Sequence, residues 1–244
     1  MGKMPDAFID LVVTSPPYDN IRNYNGYSFE FEKIAMELFR VIKQGGVVVW
    51  VVNDATIDGS ESGTSFRQAL YFKDVGFNLH DTMIYKKKNP VPYNHNRYNP
   101  SFEFMFILSK GKPKTFNAIR EDRLTDVVSK TRTFRYPNGD LKQANKKEYT
   151  TDKLRDNVFE YVVGSTETDQ TEHPATFPEK LPKEMIYSWS NEGDLVYDCF
   201  TGSGTTLKMA HLQKRNWIGS EISVEYCKIA EKRIEPYLMQ TFLF

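Results

Sequence analysis

Along the chain, short runs of adjacent apolar residues alternate with stretches in which apolar positions recur every three or four residues. "FIDLVVT" at Phe8 to Thr14 and "GVVVWVVND" at Gly46 to Asp54 are β-branched runs of the kind that fill strands covered on both faces. Between them, "SFEFEKIAMELFRVIKQGG" sets Phe31, Ile34, Ala35, Leu38 and Phe39 at helical spacing and predicts a helix stopped by Gly45-Gly46. Strand, helix and strand in this order make a βαβ unit, which favours a parallel sheet with helices on both faces. "SFRQALYFKDVGF" predicts a second crossover helix. "NLHDTMIYKK" and "SFEFMFILSKG" then alternate around a Pro- and Asn-rich connection, as two strands of a long-looped antiparallel hairpin would.

Residues 112–160 lose this periodicity and contain the turn "YPNGD", so they read as an insertion of short elements. Beyond them the alternation resumes: "LPKEMIYSWS" as helix, "DLVYDCF" as strand, "GTTLKMAHLQK" as helix, "NWIGSEI" as strand and "SVEYCKIAEKRIEPYL" as helix. The expected fold is α/β, a doubly wound and mostly parallel sheet with an antiparallel hairpin. Its parts are residues 1–111, the insertion 112–160, and residues 161–244.

Length and composition narrow the classes. A chain of 244 residues suits one large domain with an insertion, and 40% hydrophobic with 26% charged residues is ordinary for a globular protein. The longest apolar run, Val47 to Val52, is far too short to span a bilayer, and no positively charged leader precedes an apolar stretch at the N-terminus. Cys199 and Cys227 lack metal-ligand spacing and read as reduced thiols, which with the missing leader points to the cytoplasm. No metal is expected.

Two stretches carry chemistry. The first buried strand ends in "TSPPY", Thr14 to Tyr18, although proline cannot donate to a sheet. A plain turn would account for it. So would a tool at the carboxyl end of a parallel strand, where ligands of α/β sheets collect. The second stretch, "DLVYDCFTGSGTTLKMA", is strand, glycine turn, helix. Gly202 and Gly204 let backbone approach a ligand, and the helix start presents free N–H groups to a negative group. No Gly-Lys-Ser/Thr follows, and Leu207 stands where the dinucleotide fingerprint has its third glycine. Glu221, 19 residues beyond Gly202, is placed to accept from ribose hydroxyls, which fits an adenosine-bearing ligand.

"TSPPY", "HPATFPEKLPKEMI" from His173 and "DCFTGSGTT" from Asp198 together resemble the signature motifs of the S-adenosylmethionine-dependent DNA amino-methyltransferases of the cytosine-N4/adenine-N6 family, in the beta-group order with the catalytic motif first. The resemblance implies a Rossmann-like methyltransferase whose catalytic half is residues 1–111 and whose cofactor half is 161–244. It implies that Asp198, Phe200, Gly202, Ser203, Gly204 and Thr205 contact the methionine part of S-adenosylmethionine. Glu221 would hold the ribose, and His173, Pro174 and Phe177 would pack beside the methionine end.

Ser15, Pro16, Pro17 and Tyr18 become the catalytic residues. An exocyclic amino group is a poor nucleophile because its lone pair is delocalised, so positioning and directed acceptors must do the work. The Ser15 hydroxyl and the Pro16 carbonyl can accept from the amino hydrogens. Tyr18 offers a face for an extruded base, since the target atom is unreachable inside a duplex. Serine at the first position of this motif leans to cytosine N4, with adenine N6 as the alternative. An RNA methyltransferase of similar fold and a DNA-binding protein without turnover are the remaining rivals.

Net charge is zero, but Lys110 to Arg155 hold 13 basic and 6 acidic residues. In the family the insertion reads the target sequence. Arg120, Arg123, Lys130, Arg132, Arg135, Lys146 and Lys147 are the expected contacts to double-stranded DNA, with Gln143 and Asn145 able to read base edges. "YDNIRNYNGY" after the catalytic turn is either a flap over the flipped base or an ordinary loop. The terminal "QTFLF" resembles a sliding-clamp docking peptide, or packs on its own domain. A restriction endonuclease is a further partner of such enzymes. Family members carry another strand and acid before the catalytic strand, so a start at Met1 implies an upstream beginning or a sheet one strand short.

Overall fold

The structure, a computed structural model, describes residues 1–17, 29–90, 92, 96–123, 133–143, 151–163 and 178–238. The elements run β1 (Ile9–Thr14), α1 (Phe31–Val41), β2 (Ile42–Val52), β3 (Thr56–Ile57), β4 (Ser60–Glu61), α2 (Thr64–Val75), β5 (Asn78–Lys87), β6 (Phe102–Ser109), β7 (Arg120–Asp122), β8 (Thr133–Arg135), β9 (Leu141–Gln143), β10 (Asp152–Leu154), β11 (Val158–Tyr161), α3 (Lys180–Trp189), β12 (Leu195–Asp198), α4 (Thr205–Leu212), β13 (Asn216–Gly219) and α5 (Val224–Leu238).

Seven strands form one sheet in the order β11-β5-β6-β2-β1-β12-β13. Every pairing is parallel except those of β6, which runs antiparallel to both β2 and β5. The expected doubly wound sheet with one hairpin is therefore what the chain adopts. β1 lies inside the sheet, and all six of its residues are buried, which is why it is written as an unbroken apolar run.

Side chains alternate across the sheet. Val48, Trp50 and Val52 pack with Ala35, Leu38 and Val41 of α1 and Ala69 and Phe72 of α2. On the same strands Leu11, Val13, Val47, Val49 and Val51 are buried as well, and α3 packs against β1 and α4. Fully burying side chains of this size contributes roughly 1.5–3 kcal/mol each. Trp50 is completely enclosed, and its Nε1–H donates to Gln68 Oε1 at 2.8 Å, which meets the requirement that a buried polar group keep a partner.

The predicted helix end at Gly45-Gly46 needs correction. α1 stops at Val41, and Ile42, fully buried, already pairs with Ile9 as the first residue of β2. The glycines serve the strand: a Cβ on Gly46 would stand 2.9 Å from the Asp10 carbonyl oxygen and 2.7 Å from Ile42 Cγ1. The shift in β1–β2 register between Ile9 and Leu11 takes place here.

The chain divides into two compact units, residues 1–117 with 157–244, and Ala118–Asp156. Against the interval 112–160, Val158–Tyr161 is a strand of the large sheet, parallel to β5. The smaller unit contains two antiparallel pairs, β7 with β10 and β8 with β9. β8 and β9 are joined by the "YPNGD" turn, closed by Gly139 N–H to the Tyr136 carbonyl at 2.9 Å.

Candidate active site

β1 and β12 are parallel neighbours, with Val12 opposite Tyr197. That register brings the ends of the two strands together, so the proline turn and the glycine turn start side by side at the carboxyl edge of the sheet. The joint is explicit: the Thr14 hydroxyl donates to Asp198 Oδ1 at 2.7 Å, and the Thr206 hydroxyl donates to the Val13 carbonyl at 3.3 Å. Ser15 and Pro17 are half-buried and Pro16 is buried. Each proline fixes its own φ, and Pro17 restricts Pro16, so the carbonyls at this strand end have little freedom. Tyr18 lies outside the described residues.

Asp198 is enclosed, 3% exposed. Burial pushes its carboxyl up to about 6, against the opposing effect of the Thr14 hydroxyl and the Phe200 N–H, which donates to Oδ1 at 3.1 Å. The Cys199 thiol, raised by burial, lies 3.7 Å from Thr14 Oγ1. Thr14 thus bridges a thiol and a carboxylate, a role hidden in a sequence where it reads as the last residue of a β-branched run. Phe200 is half-buried and packs edge-on against Phe29, centroids 5.6 Å apart, and against Trp50 at 6.2 Å.

The glycine turn is braced from several directions. Gly202 and Gly204 have φ of 50° and 80°, a region that favours glycine. The Thr201 N–H donates to the Ser220 carbonyl, and Gly204 N–H to the Thr201 carbonyl. Gly202 N–H donates to Glu221 Oε2 at 2.8 Å, while Glu221 Oε1 accepts from the Ile222 and Ser223 N–H groups at 2.9 and 3.0 Å. A carboxylate offers about four acceptor positions, so these bonds leave about one, on Oε2, for a hydroxyl donor. Ser203 and Thr205 are buried, and both hydroxyls accept from Arg233 Nη1, at 3.1 and 2.8 Å. These side chains are therefore turned inward, and among residues 201–205 only Gly202 is partly exposed. Beside Glu221, Ile222 and Val224 are 65% and 68% exposed, an apolar face that sequence reasoning did not single out.

This donor set suits an adenosine-bearing sulfonium: an acid at one strand end, an exposed apolar face beside it, and a glycine turn, partly exposed at Gly202, leading into α4. His173, Pro174 and Phe177, expected at the methionine end, fall outside the described residues. So do Lys130, Arg132, Lys146 and Lys147 of the basic segment. In the smaller unit Arg120 pairs with Asp152, Arg123 Nε donates to the Asp152 carbonyl at 3.2 Å, and Arg135 is exposed. No helix among the described residues is long and apolar enough to cross a membrane.

Comparison with known proteins places this geometry. A family model described as DNA methylase, covering N6 and N4 methyltransferases, matches residues 9–232. The orphan methyltransferase M.BamHII of Bacillus amyloliquefaciens is 52% identical over 242 residues, covering 96% of this chain and 91% of that protein. Among solved structures, the cytosine-N4-specific PvuII DNA methyltransferase superposes with a TM-score of 0.68 at 21% identity, covering all of this chain and 83% of its own. The M1.HpyAVI–SAM complex gives 0.61 at 23% identity, covering 93% and 89%.

Proposed function

Because the chain belongs to the S-adenosylmethionine-dependent DNA methyltransferases that modify cytosine N4 or adenine N6, we propose that the end of β1 holds the target amino group and the adjacent glycine turn the methyl donor. The observation that carries this assignment is the β1–β12 register with its Thr14–Asp198 bond, which starts both turns from one rigid edge. When bound, S-adenosylmethionine supplies an electrophilic methyl carbon on a sulfonium. The Ser15 hydroxyl and the Pro16 carbonyl accept the two amino hydrogens and turn the nitrogen lone pair towards that carbon. Once methylated there, the amino group would carry one proton more than the product needs and would release it to solvent. Most of the acceleration is positioning, since two aligned acceptors remove the freedom the reaction would otherwise have to lose.

Glu221 would take a ribose hydroxyl through its remaining Oε2 position, and the exposed Ile222 beside it would offer an apolar face to the adenine. Tyr18 stacks the extruded base, which contributes about 1–3 kcal/mol. Serine rather than a carboxylate or amide at position 15 leans the acceptor to cytosine N4, with adenine N6 the alternative. Residues 118–156 read the target, the β8–β9 hairpin being narrow enough to enter a major groove as a ribbon. The relative's designation as an orphan favours an enzyme working without a cognate endonuclease. The clamp-like peptide at 240–244 lies outside the described residues.

Nucleoside mass spectrometry of unmodified DNA, incubated with the protein and S-adenosylmethionine, tests the assignment. N4-methylcytosine that disappears in Ser15→Ala is the expected result. N6-methyladenine would overturn the choice of base, and undiminished methylation in Ser15→Ala would overturn the site.

A further inference from the structure

The last helix carries a charge that neither turn accounts for. Arg233 is 4% exposed at its side chain, and its guanidinium reaches two segments at once. Nη1 donates to Thr205 Oγ1 and Ser203 Oγ, and lies 3.5 Å from the Ser203 carbonyl. Nη2 donates to Glu179 Oε1 at 2.7 Å, and that same oxygen receives Lys208 Nζ at 2.9 Å. Glu179 is the residue before α3, Lys208 belongs to α4 and Arg233 to α5, so one buried ion cluster ties three helices to the glycine turn. One turn earlier on α5, Ala230 presses on the loop directly: a Cβ on Gly204 would stand 3.0 Å from the Ala230 Cβ.

Burying a guanidinium is expensive, and an apolar side chain would fill the space at lower cost. What only arginine supplies here is a rigid planar fork that can hold two hydroxyls and a carboxylate in fixed directions. The turn needs that. Two of its residues are glycines at positive φ, which carry no side chain to fix their own shape. We infer that Arg233 is a positioning residue for S-adenosylmethionine binding: with Glu179 it forms a strut that sets the backbone of residues 202–205 through the inward-turned hydroxyls of Ser203 and Thr205. The inference rests on the reading of that turn as the cofactor site.

The full chain tests it, by calorimetric titration with S-adenosylmethionine and by steady-state methylation. Arg233→Lys, which keeps the charge and loses the fork, should raise the cofactor Kd at least tenfold, and the loss should fall on KM for the cofactor rather than on kcat. Thr205→Val should act alike, and the double variant should be no weaker than the more affected single one, since both changes cut one strut. Asp10→Asn, which removes an ion pair at the other end of the sheet, is the control for a purely structural loss. It should lower Tm with Kd unchanged. Arg233→Lys behaving like Asp10→Asn would overturn the strut, and so would multiplying effects in the double variant. Gly202→Ala separates the two levels. Lost affinity there with intact affinity in Arg233→Lys overturns the strut alone, whereas intact affinity in Gly202→Ala overturns the reading of the turn and the strut with it.

Discussion

Two buried aspartates stand at opposite ends of neighbouring strands and are treated in opposite ways. Asp10, near the start of β1, is 8% exposed. Burial acts to raise its carboxyl, but the Lys43 ammonium at 2.7 Å, the Leu195 N–H at 3.0 Å and Lys114 at 3.4 Å outweigh it and hold Asp10 below the usual carboxylate range. Asp198, at the end of β12, has the Thr14 and Thr206 hydroxyls and the Phe200 N–H as partners but no cation among the described residues, and burial pushes it up to about 6. The amino end of the sheet neutralises its buried charge with cations. The carboxyl end leaves a carboxylate short of one, beside the turn proposed to receive the sulfonium and ammonium of the methyl donor. On the proposed reading, the difference is that between a staple and a site.

The largest expected effect breaks that symmetry. Asp198→Asn removes the negative charge next to the turn and should weaken S-adenosylmethionine binding about a hundredfold, read by titration calorimetry. Asp10→Asn should leave it unchanged. In the wild type the affinity should also fall as pH drops below about 6, where Asp198 takes up a proton. That limb should be missing in Asp198→Asn.

Stability should run the other way with pH at the two ends. Asp10 has a folded value below its unfolded one, so its contribution is present at neutral pH and lost as pH falls through about 4 and lower. Asp198 has a folded value above its unfolded one, so the folded state takes up the proton first. Its effect is a loss of stability as pH rises from about 4 to 6, on the order of 3 kcal/mol. Urea unfolding across pH 3–8 checks both signs. Thr14→Val, similar in shape but without the hydroxyl, should cost about 1–3 kcal/mol and move the Asp198 limb to higher pH, with Thr14→Ser retaining the wild-type values. Asp10→Asn should cost about 1–2 kcal/mol at pH 7, less than a fully buried pair because Lys43 is 40% exposed, and progressively less as pH falls below about 4.

How much of this was legible in the sequence depended on whether a residue's role lies in its own backbone. Pro16, Pro17, Gly202 and Gly204 announce themselves because proline and glycine state the conformation they adopt. The buried strands did so through contiguous β-branched runs. Thr14 and Arg233 did not, because their roles exist only once residues 184 and about 30 positions apart are brought together. The same holds for β11, four residues of alternating burial that become a strand by lying against β5. The helix end was misplaced for a related reason. Gly45-Gly46 is a valid stop signal, but burial of Ile42 against β1 ended α1 first.

The smallest effect concerns the basic segment, where composition weighed every arginine alike and the structure does not. Arg120 is engaged with Asp152 across the β7–β10 pair, and that carboxylate holds its guanidinium above the ordinary value. Arg135 is exposed on β8, beside the hairpin turn, with no ion pair among the described residues. A phosphate must compete with Asp152 for Arg120 and meets no such rival at Arg135. Arg135→Gln should therefore reduce the slope of log affinity for DNA against log salt by about one. Arg120→Gln should reduce it by less and leave Tm within measurement error, because an exposed pair adds little to stability. Fluorescence anisotropy on a short duplex between 50 and 200 mM salt, a range in which each phosphate contact is felt, separates the two. Equal slopes would show that Asp152 yields Arg120 to DNA at no cost, and would make the β7–β10 pair as much a part of the contact surface as the β8–β9 hairpin.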